Sequence, residues 1–253
     1  MEPKNRKTKN CVVFVTHRLD KGVRRYLHYI REVAEGIMDL VVLYDCATNP
    51  LDEGLLAKED IFVFDSSKLP GFFHCHNHKL PNPLVALFEL ARQRKYDHYL
   101  LMENDLVLNG DLRTFFQKMN VLDSVDYIHI ASDSEGDPLS HYPQQYIRDN
   151  PFENLYFSWC QLFMVSMRYL DGLEQFMKTN SSFYYEFLLP TLAFNRNYVV
   201  RQFENFGYRF EVSWGPADIC EAKYLHDRQR DTFYHPIKNS LIIKYSPYEY
   251  LAR

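Results

Sequence analysis

The chain has 253 residues, of which 46% are hydrophobic and 25% charged, a globular balance that excludes a disordered or fibrous protein. Its net charge of −4 offers no basic field for nucleic acid, so no nucleic-acid partner is expected. No uninterrupted apolar run approaches the roughly 18 residues of a membrane helix. Five cysteines (Cys11, Cys46, Cys75, Cys160, Cys220) are scattered and never form a CxxC pair, which points to a reducing, cytoplasmic setting. The polar, basic first ten residues lead straight into a strand, so no secretion signal is expected.

In chain order, NCVVFVT at 10–16 predicts a buried strand. Residues 21–35 predict a helix, with Val23, Leu27, Ile30 and Ala34 on one stripe and Arg24, Arg25, His28 and Arg31 opposite. Strands follow at 38–45 and 60–65. A helix at 82–94 opens on Asn82-Pro83, a cap followed by proline in the first turn. DHYLLME at 97–103 is the next strand, then a helix at 111–119 and a strand at 126–131. Residues 132–154 read as a long loop, and 156–166 as one continuous strand. Helices are predicted at 168–178, 184–194 and 217–227. The rhythm argues an α/β fold, a mostly parallel sheet with helices on both faces, in one domain made of two halves, 1–110 and 111–253.

Ligands of open α/β sheets bind beyond the carboxyl ends of the strands. Those ends carry Thr16, His17 and Arg18, then Asp45, then Glu103, Asn104 and Asp105. Alternation puts Glu103 and Asp105 on the same side. Two carboxylates there repel unless a cation or hydrogen bonds compensate. Hard oxygen ligands suit Mg²⁺ or Mn²⁺, and a solvated turn is the alternative reading.

The segment Tyr96-Asp97-His98-Tyr99-Leu100-Leu101-Met102-Glu103-Asn104-Asp105 resembles the acidic strand of GT-A glycosyltransferases, whose motif is written DxD with ExD among its variants. Ser213-Trp214-Gly215-Pro216-Ala217-Asp218 resembles their Trp-Gly segment, and Phe233-Tyr234-His235-Pro236-Ile237-Lys238 their C-terminal histidine segment. The three stand in the family's order, and the likeness spans Val12 to Lys238. It implies a GT-A fold and transfer of a sugar from a nucleotide-diphosphate donor, a UDP-sugar, to a glycan or glycolipid. The metal, Mn²⁺ or Mg²⁺, would be held by Glu103, Asp105 and His235. Thr16, His17, Arg18, Asp45, Asn77, Asn104 and Lys238 are expected on the nucleotide sugar, and Trp214 and Glu186 on the acceptor.

The resemblance gives Asp218 the role of base, with a lean toward inversion. The family's acidic pair reads Ala217-Asp218 here, so Glu221, one turn later, is kept as a second candidate. Retention would need no base. The histidine-rich run His74-Cys75-His76-Asn77-His78 matches no closed zinc spacing and is expected in a donor-side loop. Two other readings stand beside this one. A sugar nucleotidyltransferase would want a glycine-rich basic loop after the first strand, where Thr16–Gly22 holds a single glycine. A catalytically inactive binding module would keep the fold without the site. The basic helix face predicts at most weak, salt-sensitive contact with an anionic membrane.

Overall fold

The computed structural model describes residues 9–51, 60–68, 83–131, 151–179, 185–213, 215–227, 229–239 and 242–243. The strands are β1 (Asn10–Thr16), β2 (Asp39–Asp45), β3 (Ile61–Phe64), β4 (His98–Glu103), β5 (Val107–Asn109), β6 (Tyr127–His129), β7 (Leu162–Ser166), β8 (Val200–Gln202), β9 (Arg209–Val212) and β10 (Thr232–His235). The α-helices are α1 (Lys21–Ala34), α2 (Pro83–Gln93), α3 (Leu112–Asn120), α4 (Met167–Thr179), α5 (Tyr185–Asn195) and α6 (Ala217–His226).

Seven strands form the central sheet in the order β3-β2-β1-β4-β7-β6-β8. All neighbours run parallel except β7, which is antiparallel to both β4 and β6. Period-two alternation sends Val12, Phe14, Leu100 and Met102 to one face, where α1 and α3 cover them. Cys11, Val13, Tyr99 and Leu101 go to the other, under α2, α4 and α5. A buried strand apolar on both sides, such as β1 or β4, requires this two-sided cover.

Local chemistry sets the helix starts. Asp20 caps α1 by accepting from the Gly22 and Val23 amides, and Asp111 caps α3 through those of Arg113 and Thr114. The stripe read from sequence on α1 is buried, with Tyr26 added to it. Helix α5 is apolar almost all round and correspondingly buried, with Pro190 inside it.

Two expectations need correction. Only Leu162–Ser166 of the strand predicted at 156–166 is in the sheet. The preceding backbone bonds to α5 instead: Tyr156 N–H donates to Thr191 Oγ1 at 2.9 Å, and Ser158 N–H to Glu186 O at 3.0 Å. The second correction is a small sheet, β5-β10-β9, that the sequence reading did not contain. Its strands have three or four residues each, too short for a periodic signal. β10 is antiparallel to β5 and parallel to β9.

His129, at the end of β6, gives the fold an acid-sensitive point. Its ring stacks on Tyr127 with centroids 5.3 Å apart, and Nδ1 donates to Ile130 O at 3.0 Å. Burial disfavours the imidazolium and pulls the pKa down to about 4. Below pH 6.5 the unfolded chain takes up a proton that the folded state refuses. Stability is therefore lost as pH falls from about 6.5 toward 4, by about 3 kcal/mol in all. In urea titrations across that window, His129→Gln should remove this part of the acid loss. A difference between the two proteins that does not change with pH would refute it.

Candidate active site

The site is built at the seam between the two sheets. β4 ends at Glu103, the chain turns through Asn104 and Asp105, and β5 begins at Val107. The turn is held to β1, because Asn104 N–H donates to Val15 O at 3.0 Å. β10 lies along β5 with Tyr234 opposite Val107, and Ile237 N–H donates to Asp105 O at 2.8 Å. The next residue of β10 after Tyr234 is His235, which this register carries to the acidic turn.

His235 Nε2 lies 3.3 Å from Glu103 Oε2 and 3.3 Å from Asp105 Oδ1. One ligand atom from each of the three groups falls within 4.8 Å of the others. Lys238 Nζ makes an ion pair with the second oxygen of Asp105. Burial alone would raise the Asp105 pKa, but the facing His235 and Lys238 outweigh it and hold the carboxyl well below its usual range. Burial likewise pulls His235 down. Asp105 and Glu103 outweigh that and push its pKa up to about 9.

Thr16, His17, Asp45, Glu103, Asn104, Asp105, His235 and Lys238 all line one cleft of about 180 Å³ at the carboxyl ends of β1, β2 and β4. Some of these side chains already have internal partners. The Thr16 hydroxyl donates to Arg18 O at 2.6 Å, making a local turn. Asp45 Oδ1 accepts from the amides of Ala47 and Ser66 at 3.0 and 3.1 Å, tying the end of β2 to the end of β3. Arg18 follows on the same loop but is not part of the cleft lining.

Of the remaining candidates, Asp218 lies in the first turn of α6, open to solvent. The segment before it leaves β9 beside His235, where Ser213 N–H donates to His235 O at 3.1 Å. Glu221 is engaged elsewhere: its Oε1 accepts from the Asn239 amide at 2.6 Å. Glu186 is inside the protein, 1% exposed, with the Gln161 amide donating to it. Asn77 and Trp214 lie outside the described residues, as does the run His74–His78. Gln161, buried next to Glu103, was not singled out in sequence; its only signal there is an amide in an otherwise apolar run.

No protein-family model matches the chain, and no curated protein sequence does. Solved structures match it at low identity. The galactosyltransferase LgtC, in complex with donor and acceptor sugar analogues, is 10% identical over 87% of this chain and 80% of its own, with a TM-score of 0.50. An active-site mutant of LgtC is also 10% identical, over 89% and 87%, at 0.51. Mouse xyloside xylosyltransferase 1 is 13% identical over 92% and 98%, at 0.49. The chain has the GT-A fold. Among the described residues no helix is long and apolar enough to cross a membrane.

Proposed function

We propose that the protein is a metal-dependent glycosyltransferase that moves a sugar from a nucleotide-diphosphate donor, a UDP-sugar, to a hydroxyl of a glycan or glycolipid. The observation that carries this reading is the meeting of Glu103, Asp105 and His235 in the cleft at the carboxyl ends of the strands. Two carboxylates and an imidazole are a donor set suited to Mn²⁺, and to Mg²⁺ through the oxygens. The atoms already gather round one point, with His235 Nε2 shared between the two carboxylates. A divalent cation there would neutralise charge that develops on a departing diphosphate.

This chain's own groups supply the rest. Lys238, half exposed at the cleft edge, is a second positive group for phosphate oxygens. Thr16, His17 and Asp45 in the cleft are the candidates for holding the nucleoside, with Arg18 next to them outside the lining and Asn104 on the acidic turn; Asn77 is a candidate for the nucleotide sugar from the sequence alone. Trp214, outside the described residues, is the sequence's candidate for stacking on the acceptor ring. In an inverting reaction Asp218 accepts the proton of the attacking hydroxyl. In a retaining one it only positions the acceptor.

The test is calorimetric titration of UDP and a UDP-sugar panel with Mn²⁺ or with EDTA. Binding should be clearly tighter with the metal. Equal affinity in the two conditions would remove the metal from the reading.

A further inference from the structure

The reversal of β7 gives Glu103 a neighbour that a wholly parallel sheet would not. β4 and β7 pair Met102 with Leu162, and the Glu103 amide donates to Gln161 O at 3.0 Å. Residue 161 therefore stands directly across from residue 103, and opposed residues of an antiparallel pair share one face of the sheet. The Gln161 side chain is 4% exposed. Its Nε2 donates to Glu186 Oε1 at 3.4 Å. A carboxylate only accepts, so this contact decides which end of the amide is nitrogen. Oε1 is left buried with no hydrogen-bond partner. Folded proteins rarely bury such an oxygen unpaired, and each instance asks for a reason.

The neighbourhood narrows what could satisfy it. The oxygen is an acceptor on the residue opposite Glu103, and an ionised phosphate or carboxylate has no hydrogen to offer it. A neutral O–H donor fits. Glu186 is itself fixed, since Ser158 N–H donates to its carbonyl and the Ser158 hydroxyl donates to Ile130 O at 2.8 Å. That ties the start of α5 to the end of β6.

We infer that Gln161 Oε1 accepts a hydrogen bond from a hydroxyl of the transferred sugar, and that Glu186 is a positioning residue that holds the amide in this orientation. The inference rests on the glycosyl-donor reading of the adjoining cleft, which is lined by Glu103 and not by Gln161 itself. It makes Gln161 a specificity residue: a ring lacking that hydroxyl leaves the buried oxygen unpaired, the kind of mismatch that polar sites reject strongly.

The experiment separates the sugar from the nucleotide. UDP and the tightest-binding of UDP-glucose, UDP-galactose, UDP-xylose and UDP-N-acetylglucosamine are titrated with Mn²⁺ into wild type and variants. Gln161→Leu should weaken the nucleotide sugar about tenfold, as expected for one lost hydrogen bond, and leave UDP within about twofold. Glu186→Leu should do the same, and Glu186→Gln, which can still accept from the amide, should restore binding. Melting temperatures check folding. Gln161→Asn, which keeps the amide but draws it back, gives the same reading if the leucine variant does not fold. Equal loss for UDP and the nucleotide sugar, or no loss for either, overturns the inference. Failure of wild type to bind UDP or any UDP-sugar overturns the UDP-sugar reading, and this one with it.

Discussion

Asp105→Ala should abolish the metal dependence of nucleotide binding, so that UDP affinity in Mn²⁺ falls to its value in EDTA. Asp105 is the hub of the cluster. One oxygen faces His235 and the other Lys238, and the carboxylate is almost wholly buried. Its removal takes away a ligand atom and leaves His235 with Glu103 alone. Transfer should drop by about 10²–10⁴-fold, since charge stabilisation on a leaving group is worth several kcal/mol and each 1.36 kcal/mol is a factor of ten. The fold should survive. The Ile237 amide bonds to the main-chain oxygen of residue 105, which alanine keeps, and the half-exposed Lys238 can turn into solvent. A variant that still binds UDP better in Mn²⁺ than in EDTA would show that the metal sits elsewhere.

Asp218→Asn should cost about 10²–10⁴ in transfer rate, the usual share of a general base, with UDP affinity nearly unchanged. The substitution keeps shape and removes proton acceptance. Asp218 is open to solvent at the start of α6 and is not among the residues that line the cleft, so the substitution leaves Glu103 and Asp105 undisturbed. Glu221 is the competing base. Its carboxylate already accepts from the Asn239 amide, which gives it a job in holding the chain after Lys238. Glu221→Gln should therefore be mild in rate. A crippled Glu221→Gln beside a mild Asp218→Asn would move the base one turn along the helix. Mild effects from both would argue retention of configuration.

Much of the scaffold was legible from pattern. β1, β2 and β4 carry continuous β-branched or apolar runs of four to six residues, and α1 carries an unbroken stripe. The acidic turn was visible because Glu103 and Asp105 interrupt one of those runs. His235 was different. Nothing in its spacing from Asp105 announces a contact, and only likeness to a known segment suggested one. What brings it there is the three-stranded sheet, whose short strands carry no period. Gln161 escaped for a related reason. In the reading of 156–166 as one strand it is an interior residue, and its place opposite Glu103 depends on the antiparallel register of β7. Glu186 could be read as an acceptor contact or as part of the helix start; the structure buries it in the first turn of α5 with the Gln161 amide donating to it, and an acidic residue among aromatics looks the same in sequence either way.

The seam between the two sheets has a consequence for biogenesis. Residues 103 and 105 lie in the first half of the chain, whereas the imidazole that meets them arrives on β10 and is held by contacts through residue 237. During synthesis the acidic turn leaves the ribosome long before its partner exists. The nascent chain can pair β1, β2 and β4 while having no complete cation cradle. Until its carboxyl-terminal segment has emerged and docked it carries the two carboxylates without the imidazole, and a message truncated before codon 235 would yield a chain with the acidic turn and no imidazole to close it.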